Sequence, residues 1–323
     1  MGLSIIIVNW RSCEYLKRCM DSIYTHPPTV RFEIIVIDNA SFDGSDQMLA
    51  ARFPSVHFIQ SKVNLGFSGA NNLAARQSKG QWLLFLNPDT EVLDEAIDAL
   101  KTCLDQNPLA ACAGAKLLNS DGTIQTSCIQ PFPTLLNQAL DSEILQRAFP
   151  SWSLWGQKPL RDRQEVPVRV DAISGACILI RREVFFSVGG FDEGYFMYSE
   201  DVDLSFRVQK AGYSTLYVPS AAVVHHGGCS SSEQPETAFA SVTMRESKRR
   251  FLERYRGRRY ATLYRVEMGL IGVLRCAILV FGLLAAPPTL RKAVARSIRK
   301  WAAIVRWSVG QESPAQRLTS ETN

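Results

Sequence analysis

Hydrophobic positions in the first 90 residues alternate between two patterns. Continuous apolar runs, as at residues 3–8 and 82–86, are typical of strands buried on both faces. Between them, residues 13–24 carry apolar side chains at helical spacing. The pattern predicts strands at 3–8, 33–37, 57–60 and 82–86 and helices at 13–24, 45–52 and 69–78. Such alternation predicts an α/β fold with a parallel sheet covered by helices.

The middle of the chain continues this pattern less regularly. It predicts helices at 94–106 and 199–211, strands at 110–118 and 170–180, and two short strands at 215–218 and 221–224. Residues 129–167 contain several prolines and weak periodicity, so we expect a long loop or lid there.

The pattern changes again near residue 245. Residues 268–286 are apolar apart from Arg275, and basic helical stretches lie on both sides. This length approaches the roughly 20 residues that span a bilayer, although a central arginine opposes insertion. We expect a helical tail that is embedded in a membrane or lies on its surface, with a soluble docking helix as the alternative.

Charge divides the chain at the same place. The net charge of +5 combines 19 Lys and Arg against 26 Asp and Glu in residues 1–244 with 17 against 5 in residues 245–323. A basic tail suits an anionic membrane surface, whereas the acidic remainder argues against nucleic-acid binding. The eight cysteines form no CxxC pair, which favours reduced thiols and a cytoplasmic location.

Acidic residues stand where two predicted strands end. Asp38 follows the strand at 33–37, and Asp89 follows the strand at 82–86 after Asn87 and Pro88. Ligands of open parallel sheets bind beyond the carboxyl ends of the strands. Each aspartate alone could simply cap a turn, but two of them in one sheet indicate a binding site.

A segment rich in glycine and asparagine lies between these acids. Gly66 and Gly69 allow close backbone approach, and Asn64, Asn71 and Asn72 add amide groups at the start of a helix. The spacing matches neither a Walker loop nor GxGxxG, which argues against P-loop enzymes and dehydrogenases.

Two further clusters supply groups for chemistry. Glu200, Asp201 and Asp203 begin a predicted helix among apolar neighbours, which favours a partly buried carboxylate with a raised pKa, as a general base requires. His225 and His226 follow an apolar strand, and one imidazole could complete a metal site with a strand-end acid.

Taken in order over residues 3–230, these motifs resemble the inverting family-2 glycosyltransferases of the GT-A fold, especially their rhamnosyltransferase-like branch. The motifs are Ile7-Val8-Asn9-Trp10, Asp38-Asn39-Ala40-Ser41, Asn64-Leu65-Gly66-Phe67 with Asn71-Asn72, Asn87-Pro88-Asp89, Gly190-Phe191-Asp192-Glu193, Glu200-Asp201-Val202-Asp203 and His225.

The resemblance implies a mostly parallel, Rossmann-like GT-A domain over residues 1–244 and a membrane-associating tail over 245–323. The donor-binding half would cover about 1–118 and the acceptor half 119–244. Asp38 would accept a hydrogen bond from a uracil or thymine base, and Asp201, beside Glu200, would be the catalytic base. Asp89 and His225 would hold Mg²⁺ or Mn²⁺ on the donor diphosphate. Other donor-binding positions would be Val8, Asn9, Asn64, Gly66, Phe67, Asn71 and Asn87.

The implied reaction is sugar transfer with inversion, with L-rhamnose from dTDP-rhamnose as the first choice and a UDP-hexose as the alternative. The acceptor would be a saccharide or a polyprenyl-diphosphate-linked saccharide, in cell-surface polysaccharide synthesis. The basic and apolar tail favours the lipid-linked form, at the inner face of the cell membrane. Asn87 replaces the first acid of the family's DxD motif, which weakens the expected metal dependence. A sugar nucleotidyltransferase and a non-catalytic membrane-surface binder remain as rivals.

Overall fold

The computed structural model describes residues 2–149, 152–156, 160, 165–227, 238–285 and 287–313. It divides into two compact units. The first comprises Met1–Phe132, Ala148–Phe196 and Glu200–Glu233, and the second Pro133–Arg147, Met197–Ser199 and Gln234–Asn323.

A nine-stranded sheet forms the centre of the first unit. The strands of the protein are β1 (Leu3–Asn9), β2 (Phe32–Asp38), β3 (His57–Gln60), β4 (Trp82–Leu86), β5 (Thr90–Val92), β6 (Ala110–Leu118), β7 (Ile129–Gln130), β8 (Val168–Arg169), β9 (Ala172–Ile173), β10 (Cys177–Arg181) and β11 (Ser214–His225). The helices of the first unit are α1 (Cys13–Thr25), α2 (Ser45–Arg52), α3 (Gly66–Gln77), α4 (Ala96–Gln106), α7 (Arg182–Ser187) and α8 (Glu200–Lys210).

The sheet order is β3-β2-β1-β4-β10-β6-β11-β5, with β8 beside β11. Strands β3, β2, β1 and β4 are parallel, and β10 runs antiparallel to both of its neighbours. The central strands are almost fully buried, as their continuous apolar runs predict. The α/β fold with a helix-flanked sheet is therefore confirmed.

The last strand along the chain differs from its prediction. The segments 215–218 and 221–224 form one strand, β11, whose register against β6 shifts between Val218 and Ala222. The interruption at Pro219-Ser220 in the sequence marks this irregularity rather than a strand end. The short β5, which pairs with the end of β11, was not predicted.

The predicted loop at 129–167 contains regular structure in its described part. Helices α5 (Leu135–Ala139) and α6 (Glu143–Ala148) lie there, and residues 150–151, 157–159 and 161–164 are outside the described residues. Thr134 begins α5 with a capping box, in which its hydroxyl and the Asn137 amide satisfy each other's backbone N–H groups. A five-residue helix gives no periodicity, so the sequence pattern missed it.

The second unit is built on three long helices, α9 (Ala238–Arg256), α10 (Arg258–Ala285) and α11 (Pro288–Ser308). Gly269 of α10 packs on Ser308 and Gly272 packs on Val305, so α10 and α11 run antiparallel in close contact. Trp301 and Trp307 of α11 are buried in this unit.

Within the described residues, one helical segment, Arg258–Leu283, is long and apolar enough to cross a membrane, with a mean hydropathy of 2.0. Little of its most apolar part is buried by the protein.

Candidate active site

The carboxyl ends of β1 and β2 hold the first predicted group. Asn9 donates to Asp38 Oδ1 at 3.0 Å, and Asp38 is 1% exposed. Asp38 Oδ2 accepts from the backbone N–H groups of Ser41 (3.1 Å) and Phe42 (2.9 Å) and from Gln60 Nε2 (2.7 Å). The Ser41 hydroxyl bonds Oδ1. These donors use the roughly four lone-pair sites of a carboxylate. Asp38 therefore shapes its loop, and its contact with a donor base stays a prediction.

The loops after β1 and β2 have strained backbone. Arg11, Ala40 and Phe42 adopt positive φ angles of 52°, 65° and 50°. Such conformations are costly for residues with a Cβ and occur most often at functional sites. Burial raises the pKa of the nearby Asp43, but hydrogen bonds, first among them the one from Ser45, outweigh it and lower that pKa. An ionised carboxylate thus lies at this edge of the sheet.

The predicted donor-binding segment at residues 64–67, here called the donor loop, is held by an asparagine to which the sequence motifs assigned no role. Asn39 Nδ2 donates to Asn64 Oδ1 at 3.0 Å, and Asn39 Oδ1 accepts from the Leu65 backbone. Gly66 has φ +69°, and a Cβ there would lie 2.7 Å from the Phe196 backbone oxygen. Position 66 therefore requires glycine for both its conformation and its contact.

The helix that follows is tied to the Gly190-Phe191-Asp192-Glu193 motif. Asn71 Nδ2 donates to the Phe67 backbone oxygen at 3.0 Å within α3. Asn72 accepts from the Phe191 backbone N–H and donates to its oxygen, at 2.9 and 2.8 Å. The paired asparagines therefore have structural roles: one stabilises the start of α3 and the other docks the loop around Phe191.

The residues predicted to bind a metal converge. His225 Nε2 lies 3.4 Å from Asp89 Oδ1 and 3.4 Å from Asn87 Nδ2. The other ring nitrogen, Nδ1, lies 2.9 Å from Gln125 Oε1, while Gln125 Nε2 donates to the His225 backbone oxygen at 2.6 Å. Gln125 has no distinctive motif, so the sequence did not point to it.

This arrangement suits a cation. An Nδ1–H donated to Gln125 leaves His225 Nε2 with a lone pair that faces the Asp89 carboxylate. Metal–ligand distances of about 2.0–2.2 Å place neighbouring ligands about 3 Å apart, close to the spacing observed. The part of the chain that the structure describes contains no group of three or more His, Cys, Asp or Glu side chains that could hold a metal ion. Asp89 and His225 could therefore supply two ligands and leave the others to a substrate.

Glu200 and Asp201, here called the acid pair, lie at the start of α8. Asp201 Oδ2 accepts from the Gly175 backbone N–H at 2.8 Å and from Gln130 Nε2 at 3.0 Å. Both acids are buried, with Glu200 6% and Asp201 7% exposed. Tyr198 and Ser199, directly before the helix, both have positive φ angles. Backbone strain therefore accompanies buried carboxylates here, as at many catalytic sites.

Burial controls the protonation of this pair. It raises the pKa of Asp201, although hydrogen bonds from Gly175, Val202 and Gln130 oppose the effect. Burial and the adjacent Asp201 charge raise the pKa of Glu200 much further. Glu200 Oε2 is buried and has no hydrogen-bond partner among the described residues. Both carboxyl groups therefore hold their protons to a higher pH than exposed acids do, and the charge of one opposes ionisation of the other.

A turn at Ser174–Ala176 connects these groups. The Gly175 N–H binds Asp201, and the Ala176 oxygen accepts from the Asn87 backbone N–H at 3.0 Å. A Cβ at Gly175 would lie 3.5 Å from the Phe67 ring and 3.6 Å from Asp201 Cβ. The acid pair, the donor loop and the Asn87-Pro88-Asp89 segment therefore meet at one turn, to which the sequence motifs gave no role.

Asp203, the third acid of this helix, has a different task. It is fully buried and forms an ion pair with Arg207, whose Nε lies 2.7 Å from Asp203 Oδ2. A buried carboxylate that is already paired is a structural element rather than a free base.

Comparison with solved structures agrees with this fold. The structure of GalNAc-T7 with UDP, GalNAc and Mn²⁺ aligns over 78% of this chain and 48% of its own, with a TM-score of 0.57 and 19% identity. The central sheet flanked by helices is thus that of the GT-A glycosyltransferases.

Sequence relatives identify the branch. The profile of Glycosyl transferase family 2 matches residues 4–188, and that of Glycosyl transferase family group 2 matches 161–309. N-acetylglucosaminyl-diphospho-decaprenol L-rhamnosyltransferase of Mycobacterium tuberculosis is 33% identical over 74% of this chain and 80% of its own length. Rhamnosyltransferase WbbL of Escherichia coli is 26% identical over 69% and 82%. The chain belongs to glycosyltransferase family 2, in its rhamnosyltransferase-like branch.

Proposed function

We propose that this enzyme transfers L-rhamnose from a nucleoside-diphosphate donor, dTDP-rhamnose in our first choice, to a lipid-linked saccharide, with inversion at the anomeric carbon. The relatives named as rhamnosyltransferases support the donor sugar, and the diphospho-decaprenol in the mycobacterial name supports the acceptor class. A UDP-hexose is the alternative donor, and experiment must distinguish it from dTDP-rhamnose.

The observation that carries the proposal is the Ser174–Ala176 turn. It contacts the acid pair through Gly175, the donor loop through Phe67 and the Asn87 segment through Ala176. A transferase needs these three functions within reach of one sugar: a base, a donor-binding surface and a diphosphate site.

Asp201 acts as the general base in this proposal. Its carboxylate would take the proton of the acceptor hydroxyl as that oxygen attacks the anomeric carbon from the face opposite the leaving diphosphate. Burial raises the pKa of both Asp201 and Glu200, and the charge of Asp201 raises that of Glu200 further, so ionisation of one carboxyl opposes ionisation of the other. With one base and no second nucleophile, a single displacement inverts the configuration.

Asp89 and His225 would hold Mg²⁺ or Mn²⁺, and Asn87 would line the same position. A divalent ion supplies charge neutralisation and orientation for the diphosphate when it is bound. This chain contributes the imidazole of His225, held in place by Gln125, and the buried carboxylate of Asp89.

The second unit supports action at a membrane surface. Exposed apolar side chains recur every three or four residues along α10, which places them on one face. They are Leu263, Val266, Leu270, Val273, Leu274, Ile278 and Phe281, here called the apolar stripe. We propose that the apolar stripe enters the boundary region of the inner leaflet while the enzyme stays on the cytoplasmic side.

A surface position fits this unit better than a spanning one. Helix α11 packs antiparallel along α10, so a spanning α10 would bring α11 into the bilayer. Helix α11 carries exposed basic residues at 291, 292, 296, 299 and 306, each of which is costly inside hydrocarbon. The same charges favour an anionic leaflet when they lie at its surface, at about 1 kcal/mol each.

A nucleotide-release screen tests the proposal. Purified full-length protein is offered dTDP- and UDP-sugars with a prenyl-diphosphate-linked N-acetylglucosamine, with and without Mn²⁺ or Mg²⁺, and product configuration is read by NMR. We expect dTDP release that depends on the acceptor and a product of inverted configuration. Release of UDP alone would show that the donor is a UDP-sugar and not dTDP-rhamnose. A product of retained configuration would contradict the role of Asp201.

A further inference from the structure

Three cationic side chains converge in the second unit. Arg245 and Lys248 lie three residues apart on one face of α9, and both donate to Gln138 Oε1, at 3.3 and 2.7 Å. Arg275 of α10 donates to the Asp141 backbone oxygen at 2.8 Å. We call Arg245, Lys248 and Arg275 the cation cluster.

The cation cluster carries more positive than negative charge. The Asp141 carboxylate attracts all three cations, while the charge of Arg245 acts against both Lys248 and Arg275. One shared carboxylate cannot neutralise three cations, and buried charges need partners. Burial, together with the Arg245 charge, lowers the pKa of Lys248 to about 8, as expected where positive charge is in excess.

Two of the three cations are also partly exposed. Lys248 and Arg275 are intermediate in exposure, whereas Arg245 is only 8% exposed. The guanidinium of Arg275 stacks on Trp301, 4.4 Å from the ring centroid, which fixes its position. Cations that are held in place and remain partly exposed are suited to bind phosphate groups.

We infer that the cation cluster binds the diphosphate that joins the acceptor saccharide to its lipid. This inference rests on the proposed function for the identity of the ligand. A diphosphate supplies the negative charge that the cluster lacks. The partly exposed Lys248 ammonium and Arg275 guanidinium can donate to phosphate oxygens, while the buried Arg245 adds its charge from behind. The exposed Leu274 and Ile278 of the apolar stripe lie next to Arg275 and one turn beyond it on the same helix, where they can contact a prenyl chain.

The test measures binding to the full-length protein by calorimetry, with EDTA present and UDP and dTDP at saturation so that the donor site does not contribute. The probes are inorganic pyrophosphate and farnesyl diphosphate. We expect both to bind, farnesyl diphosphate more tightly, and Lys248→Met and Arg275→Gln each to weaken binding by about ten-fold or more. Arg256→Gln, an exposed cation on the same helix as Lys248, is the matched control and should change binding less than about two-fold.

Lys248→Met removes a charge that Arg245 repels, so we expect the variant to fold, which its melting curve checks, and Arg275→Gln provides an independent variant. Failure of both probes to bind the wild-type protein, or wild-type affinity for the probes in both variants, would overturn the inference. A third arm uses vesicles of phosphatidylcholine with phosphatidylglycerol. If Lys248→Met weakens vesicle binding but not farnesyl diphosphate binding, the cluster recognises phospholipid headgroups and our assignment is wrong.

The two proposals fail separately. Calorimetry reads the cation cluster without any turnover, so it remains informative if no nucleotide-sugar proves to be a donor. Conversely, a Lys248→Met enzyme that keeps its KM for donor while its KM for the prenyl-linked acceptor rises about ten-fold would support both the cluster and the proposed reaction.

Discussion

At the scale of single residues, neighbouring acids have different roles because their surroundings differ. Asp201 accepts hydrogen bonds yet keeps a raised pKa, and Asp203 is neutralised by Arg207. One buried oxygen of Glu200 finds no hydrogen-bond partner in the described part of the chain. The sequence predicted a buried carboxylate with a raised pKa in this segment. It could not rank the three acids, since pairing and burial depend on groups distant in the chain, such as Gly175.

The first prediction concerns the base. Asp201→Asn should lower kcat by about 10²–10⁴-fold with little change in donor binding, because the variant cannot take the acceptor proton. Steady-state nucleotide release with the lipid-linked acceptor measures this effect. Asp105→Asn, an exposed carboxylate on α4, is the matched control. An Asp201→Asn enzyme with wild-type kcat would refute the role of this residue.

The pH profile gives a second prediction. The base works only when ionised, and the pKa of Asp201 is raised by burial. We expect kcat to fall as pH is lowered through this raised pKa, at a pH above the ordinary aspartate value of about 3.9. Stopped assays from about pH 4 to about pH 8 measure the fall of kcat on the acidic side of the profile. A structural probe such as circular dichroism checks that the enzyme stays folded at each pH. A flat profile across that range would be inconsistent with a base in this environment.

At the scale of elements, loops at strand ends bring the site together. Helix α3 begins at Gly66 rather than at the predicted residue 69, because Gly66 adopts positive φ and contacts the Phe196 backbone. The glycine was recognisable in the sequence as a site of close backbone approach. The residue that it approaches was not, since 130 positions separate Gly66 from Phe196.

Gly66→Ala should therefore destabilise the protein by about 1–3 kcal/mol and raise the KM for donor. Gly122→Ala is the control, because Gly122 also has positive φ, yet a Cβ there would meet no atom within 4 Å. The difference between the two variants in urea unfolding isolates the clash with Phe196. Equal losses would mean that backbone conformation alone requires glycine at position 66.

The apolar stripe leads to another prediction at this scale. Replacing Leu270, Val273 and Phe281 together by glutamine should markedly reduce sedimentation with anionic vesicles, since each exposed apolar side chain loses its favourable burial in the leaflet. Stability should hold, because these side chains are exposed. Leu109→Gln, a leucine 79% exposed in the first unit, should sediment as the wild type does. Unchanged sedimentation of the triple variant would exclude the stripe as the membrane contact.

At the scale of the whole molecule, charge separates an acidic catalytic region from a basic tail. Residues 245–323 hold 17 Lys and Arg against 5 Asp and Glu, and the remainder of the chain is net acidic. Attraction of the tail to an anionic leaflet, together with repulsion of the acidic region from it, would orient the enzyme at the surface.

Vesicle binding should therefore weaken as salt rises from about 0.05 to about 0.5 M, because screening shortens the reach of these charges to a few ångströms. Co-sedimentation with vesicles that contain phosphatidylglycerol, compared with vesicles of phosphatidylcholine alone, measures this dependence. If vesicle binding changes with neither salt concentration nor lipid charge, the basic tail does not contribute and the apolar stripe alone attaches the protein.

The sequence by itself determined the α/β fold, the strand-end acids and the tail, because each of these is written in local periodicity, apolar runs or charge. Only the tertiary structure decided which polar groups meet: Gln125 behind His225, Gln60 on Asp38, and the Gly175 turn between the acid pair and the donor loop. Such contacts join residues 22 to 108 positions apart, and no periodic signal in the chain encodes a partner at that separation. The same reason hid the cation cluster, whose three members became one group only when α9 and α10 packed around Gln138 and Asp141.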